Sequence, residues 1–161
     1  MTEPVALVRD DAALAYDLGP DHPLAPVRVE LTHALIDALG LSAGPGVVRP
    51  TPTAFDPDDL RHVHDPAYVA VVRDLSDRLR GADDPAAAAR AAGAAAHGLG
   101  AGDTPAFAGM HEASLAVVGA SVTAAHEVLA GRARHAFNPG GGLHHAMPAR
   151  AAGFCVYNDP A

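Results

Sequence analysis

Two adjacent histidines, His144 and His145, follow the run Pro139-Gly140-Gly141-Gly142-Leu143. Imidazole is the side chain whose free pKa lies nearest neutrality. One ring of such a pair can take a proton from water while its neighbour stabilises developing charge. The glycines would let backbone come close to a bound group, or adopt positive φ angles denied to other residues. The run fits neither the dinucleotide fingerprint nor the phosphate-cradling loop with its lysine and hydroxyl. Adjacent histidines also occur on surfaces by chance, so residue chemistry alone leaves a catalytic or metal-binding pair and a surface pair both open.

Other polar residues are weaker candidates. Asp103, in Gly102-Asp103-Thr104-Pro105, sits at a loop tip where a carboxylate can accept hydrogen bonds from a substrate's backbone amides, or can simply turn the chain. Arg28 could reach inward as a buried cation, but by spacing it reads as a solvated first-turn residue. His62 and His64 bracket Val63 and would share one face of an extended stretch. No third ligand stands at suitable spacing, so they read as structural. Cys155, in an apolar run, reads as a buried hydrophobe rather than a nucleophile.

These residues need a scaffold, and the sequence supplies alternating strands and helices. Val5-Ala6-Leu7-Val8 reads as a short buried strand. Pro26 opens a helix that Gly40 stops, with Val27, Leu31, Leu35 and Leu39 forming an apolar stripe. Val47-Val48 begins another strand. Asp65-Pro66 is a helix start, a side-chain cap followed by proline at the first position, and Tyr68, Val72, Leu75 and Leu79 follow at helical spacing. From Ala82 to Gly102 the chain is rich in alanine and glycine, which predicts a loose helix or a mobile connection. Leu115, Val118, Val122 and Leu129 mark a further helix ended by Gly131. Arg134 to Phe137 reads as a strand leading into the glycine run, and Phe154 to Tyr157 as a last one. The pattern implies an α/β fold with a mainly parallel sheet. A glycine–histidine segment after a strand of such a sheet falls where ligand sites gather.

Composition narrows the class. In 161 residues, 49% are hydrophobic but only 4% aromatic, and much of the apolar content is alanine, so a thin core is expected. The formal net charge of -8 argues against a nucleic-acid surface and suits either solubility or a basic partner. No run approaches a membrane span, and Met1-Thr2-Glu3-Pro4 lacks the start of a signal peptide, which predicts a cytoplasmic protein. A single cysteine excludes an internal disulfide and a multi-thiolate zinc site, whereas ten histidines allow imidazole/carboxylate sites.

Four stretches in order resemble the histone deacetylase family, in particular the bacterial acetoin-utilisation-type deacetylases. They are His22-Pro23-Leu24-Ala25-Pro26-Val27-Arg28, His64-Asp65-Pro66-Ala67-Tyr68, Gly102-Asp103-Thr104-Pro105-Ala106-Phe107, and the long one from Phe137-Asn138-Pro139-Gly140 through His144-His145 to Gly153-Phe154-Cys155-Val156-Tyr157-Asn158-Asp159. The resemblance implies the N-terminal part of the arginase/deacetylase fold, incomplete, with residues 1–161 as a partial domain. It implies that His145 acts as general base and then general acid while His144 assists electrostatically. Asp103 would grip the substrate backbone, Gly153 and Phe154 would wall the acetyl-lysine tunnel, and Arg28 would line an inner cavity.

In that family the metal is held by an Asp-x-His pair and a further aspartate, with an oxyanion-stabilising tyrosine nearby, and none of these is found here. The expectation is therefore a zinc-dependent deacetylase (zinc or another divalent metal) in the longer parent, acting on an acetylated lysine of a protein. This chain would hold no catalytic metal tightly and show negligible turnover, with no nucleic-acid or membrane partner and no oligomeric state specified. Two alternatives stand beside it: an acetylpolyamine amidohydrolase of the same fold, and a non-catalytic remnant or interaction module. An in-frame Asp-x-His segment in the DNA downstream of Ala161 would mark the stop as an artefact.

Overall fold

The strand expected at the start of the chain forms as β1, Val5–Leu7, with Ala6, Leu7 and the following Val8 buried. The computed structural model describes residues 3–100 and 102–161, so Met1, Thr2 and Ala101 lie outside the described residues. β1 is the centre of a three-stranded sheet. It pairs in parallel with β2 (Val47–Val48), Val5 opposite Val47, and with β3 (His135–Phe137), Ala6 opposite Ala136. Parallel pairing requires long crossovers, and here they carry the helices α1 (Val27–Ala38), α2 (Pro66–Leu79), α3 (Pro85–Ala91) and α4 (Met110–Leu129).

α2 buries the face its spacing predicts: Tyr68, Val72, Leu75 and Leu79 all lie in the core. Pro66 takes the first helical position, but Asp65 makes no side-chain capping bond; its N–H donates to the Pro148 carbonyl at 2.9 Å instead. α4 starts at Met110, a turn before its expected apolar residues. Its buried face is built mainly from small residues, Ala113, Ser114, Gly119 and Ala120, beside Val117 and Val118. Small side chains let neighbouring segments come close: a Cβ at Gly119 would lie 2.5 Å from the Thr53 carbonyl oxygen. α4 packs against α2, the sheet and the 3-10 turn Asp11–Ala15.

The alanine-rich stretch is more ordered than composition suggests. Asp84 caps α3 by accepting the Ala87 N–H at 2.9 Å, and Gly93 and Gly98, both at positive φ, bracket the 3-10 turn Ala94–His97. Gly98 is fixed by contact as well as by conformation: a Cβ there would stand 2.1 Å from the Ala151 carbonyl oxygen, next to the Ala151 N–H bond to the His97 carbonyl.

Two expectations are corrected. Phe154 to Tyr157 is not a strand. Gly153 and Phe154 both have positive φ, 49° and 74°, which turns the chain tightly and leaves only an isolated bridge between Ala152 and Cys155. The stripe on α1 exists but is not buried: Val27, Leu31, Leu35 and Leu39 are 49–63% exposed, and His33 is the buried residue of that helix. Among the described residues no helix is long and apolar enough to cross a membrane.

Gly98→Ala should lower unfolding free energy by about 2 kcal/mol or more, since it combines a positive φ with a backbone collision. Gly81→Ala, which meets nothing within 4 Å, should change it by less than about 0.5 kcal/mol. Urea melts of both variants check this.

Candidate active site

β3 ends at Phe137, and the chain then turns through Asn138 to Gly142 beyond the carboxyl edge of the sheet. A network built from three elements shapes this turn. Asn138 Oδ1 accepts the Gly140 N–H at 3.2 Å, and its Nδ2 donates to Ser121 Oγ of α4 at 3.0 Å. Ser121 in turn donates to Asp159, whose two carboxylate oxygens also take the N–H groups of Gly142 at 2.9 Å and Leu143 at 2.6 Å. The glycines therefore serve different needs. Gly142 supplies a positive φ of 91°, whereas Gly141 faces the cluster: a Cβ there would stand 2.5 Å from Ser121 Oγ and 2.8 Å from Asp159 Oδ2.

Just past the turn, the rings of His144 and His145 lie 4.4 Å apart, tilted by 35°, and both residues are exposed. His144 Nδ1 is 2.9 Å from the Gly142 carbonyl oxygen, a bond in which that nitrogen carries the proton and donates. The ring of His145 rests on Gly153, where a Cβ would approach it to 2.8 Å. An alanine at 153 would push this imidazole away.

His145 opens on a cavity of about 700 Å³ whose lining also includes Arg28, Asp103, Gly153, Phe154 and Tyr16, a size suited to a small-molecule group. Arg28, Asp103, His145, Gly153 and Phe154, all singled out in the sequence, thus share one cavity. His144 is outside its lining and reaches it only through the ring of His145. Arg28 is exposed rather than an internal cation. Asp103 is exposed at the rim. The Leu24 N–H donates to His22 Nδ1 at 3.0 Å, so the proton sits on Nε2, which donates to the Asp103 carbonyl at 3.2 Å. The same His22 ring packs edge-on against Phe154 with centroids 4.6 Å apart, tying rim to wall.

Phe154 holds its positive φ because its carbonyl accepts from Tyr16 Oη at 2.7 Å, while the Val156 N–H donates back to that hydroxyl at 2.9 Å. Burial pushes the Tyr16 hydroxyl well above its ordinary range, so it stays protonated and can serve both partners. Tyr68 Oη donates to the Val156 carbonyl at 2.8 Å, and Tyr157 Oη meets His111 Nδ1 at 2.8 Å. His64 is a structural residue, as its spacing implied. Its Nε2 accepts the Asn158 N–H at 3.0 Å and its Nδ1 donates to the Met147 carbonyl at 3.1 Å. His62 lies apart on the surface. Cys155 is buried, and burial raises its thiol pKa, which suits a packed hydrophobe.

A zinc site needs about four ligands. Among the described residues no three histidine, cysteine, aspartate or glutamate side chains come together, and both Asp159 oxygens are already taken by N–H and O–H donors. The described residues do not fit a closed metal site. Sequence reasoning missed Tyr16, Ser121, Asn138 and Asp159. For Asp159 the available signal was a carboxylate two residues after the apolar run Cys155-Val156-Tyr157.

Comparison with known proteins identifies the family. The model of the histone deacetylase domain matches residues 22–161, and the chain belongs to the histone deacetylase family. It is 41% identical over 147 residues to the acetoin utilization protein AcuC of Bacillus subtilis (strain 168), covering 91% of this chain and 35% of that protein. AcuC of Staphylococcus aureus (strain MRSA252) is 34% identical over 156 residues, covering 97% of this chain and 37% of the relative. AcuC of Staphylococcus xylosus is 30% identical over 161 residues, covering all of this chain and 39% of the relative. The chain thus spans a little over a third of the length of these relatives.

Tyr16→Phe should cost about 2–3 kcal/mol, because it leaves the buried Val156 N–H and the Phe154 carbonyl without their partner; urea melts measure it. Burial also holds the pKa values of His64, His111 and His33 below the free imidazole value. Folded protein then binds fewer protons than unfolded protein just below about pH 6.5. Stability should fall as pH drops below that value, with each histidine contributing a slope of up to about 1.4 kcal/mol per pH unit. His64→Gln should flatten part of that slope in melts run between pH 7.5 and 5.

Proposed function

We propose that this chain carries the proton-transfer half of a deacetylase site that hydrolyses the amide of an acetylated lysine on a protein. The observation that carries this reading is the tandem His144–His145 pair, in a chain of this family, set at a cavity walled by Gly153 and Phe154 and rimmed by Asp103. Gly153 and Phe154 in the cavity lining offer an apolar wall that suits the methylene chain of an acetyl-lysine. Asp103, exposed at the rim, would accept hydrogen bonds from the backbone on either side of the lysine. Arg28 lies at the cavity's other margin, where an acetate product would meet a cation.

In the proposed reaction His145 takes a proton from the attacking water and then gives it to the departing amine, so that acetate and a free lysine amine are released. His144, stacked on it and anchored to the Gly142 carbonyl, stabilises the charge that appears on His145. The zinc, or another divalent metal, of this chemistry belongs to the longer protein, because the described residues do not make up its ligand set. The 161-residue chain alone is therefore expected to bind no metal tightly and to turn over no substrate. A net charge of -8 favours approach of a basic, lysine-bearing protein. The reading includes a cytoplasmic setting, in keeping with a lone buried cysteine.

Fusing residues 1–161 to the remaining portion of the B. subtilis relative tests the reading. The fusion should hydrolyse an acetyl-lysine peptide, and His145→Ala should lower kcat by about 100-fold or more. Preference for a small acetylated amine over the peptide would redirect the substrate assignment. Indifference of turnover to His145→Ala would overturn the role of the pair.

A further inference from the structure

Residues 158 and 159 hold both flanks of the histidine pair by its backbone. Asp159, 9% exposed, takes the N–H groups of Gly142 and Leu143 on the approach side. On the far side, Asn158 Nδ2 donates to the carbonyls of His144 at 3.2 Å and Ala146 at 3.1 Å. Neither side chain bonds an imidazole. Four of the bonds these two side chains make go to the main chain that carries or flanks the two rings.

We infer that Asn158 and Asp159 form a backbone clamp that sets the position of the His144–His145 pair, Asp159 being its principal positioning residue. A glycine-rich turn has few conformational restraints of its own, and the contact of His145 with Gly153 and the bond of His144 to the Gly142 carbonyl orient the rings only relative to a backbone that must itself be held. Charge-assisted bonds from two consecutive amides to one carboxylate give a short, directional anchor immediately before His144. The anchor is itself fixed from behind by Ser121 of α4 and, through it, by Asn138. Gly141 has no side chain because the space is filled by this cluster. The clamp is seated on the core as well: the Asn158 N–H donates to buried His64, and Tyr157 next to it is fully buried.

The residue type matters. An asparagine at 159 has the same shape but one acceptor oxygen, and its NH2 group would face an amide N–H, donor against donor. The catalytic part of the inference rests on the proposed deacetylase reading, whereas the positioning part does not.

Amide hydrogen exchange and imidazole NMR spectra of the 161-residue chain test the positioning. In Asp159→Asn, the Gly142 and Leu143 amides should exchange at least about tenfold faster. The His144 and His145 ring signals should shift, while those of His64 and His111 stay in place. Ser121→Ala and Gly141→Ala, which attack the same cluster from the helix and from the loop, should reproduce the pattern and stand in if Asp159→Asn does not fold. Unchanged exchange at Gly142 and Leu143, or equal disturbance of all four histidines, would overturn the clamp. In the fusion protein, Asp159→Asn should lower kcat about 10-fold or more with KM little changed, as loss of orientation rather than of binding predicts. An inactive parent fusion would count against the deacetylase reading, while the exchange result still decides the clamp.

Discussion

A buried stretch of chain outside regular secondary structure has to find a partner for each of its backbone polar groups singly. Residues 153 to 159 are such a stretch, and almost everything at the site follows from how they solve it. Tyr16 serves the Phe154 carbonyl and the Val156 N–H, Tyr68 the Val156 carbonyl, and His64 the Asn158 N–H. All three tyrosines of this aromatic-poor chain are buried, and each hydroxyl is used around this segment. Among the described residues no buried side-chain polar atom lacks a partner. A core with so few aromatics thus spends them where hydrogen bonds and packing are both needed.

The segment, once seated, organises its surroundings. The positive φ of Phe154 turns its ring onto His22, and His22 in turn holds the Asp103 carbonyl. Gly153 gives up its side chain so that His145 can lie against the backbone. The rim, wall and histidine loop, which come from widely separated parts of the sequence, are therefore mechanically one unit.

Much of this scaffold was legible from residue types. The apolar spacing of α2, the strands β1 to β3 and the turn that follows β3 all formed where periodicity and glycine placed them. Arg28, Asp103, His145, Gly153 and Phe154 do meet at one cavity, which ordered motifs implied and spacing alone could not. The misreadings share one cause. Phe-Cys-Val-Tyr has the composition of a strand, yet its neighbours are side-chain hydroxyls and an imidazole rather than another strand, and periodicity carries no information on tertiary partners. Asp84 and the glycines that order the alanine-rich stretch act through individual hydrogen bonds, which composition averages away. The residues of the α1 stripe are apolar and share a face, as their spacing predicts, but a helix sequence does not record what covers that face. Among the described residues nothing covers it, in a chain spanning a little over a third of its relatives' length.

The bonds made by Tyr16 also bear on the order in which the molecule can assemble. They join residues 138 and 140 positions apart, and those of His64 and Tyr68 span 94 and 88. Loop-closure entropy grows only by about 0.6 kcal/mol per doubling of length, so such separations do little harm to the finished structure. They weigh on the rate instead, because distant contacts are reached only after the intervening chain has condensed. The helices can form from nearby sequence, and the β1–β2 pair, Val5 opposite Val47, closes a shorter crossover than these bonds do. The cavity wall and the loop bearing His144 and His145 take shape only when the two distant parts of the polypeptide meet, so the chemically equipped region should be the last to become native.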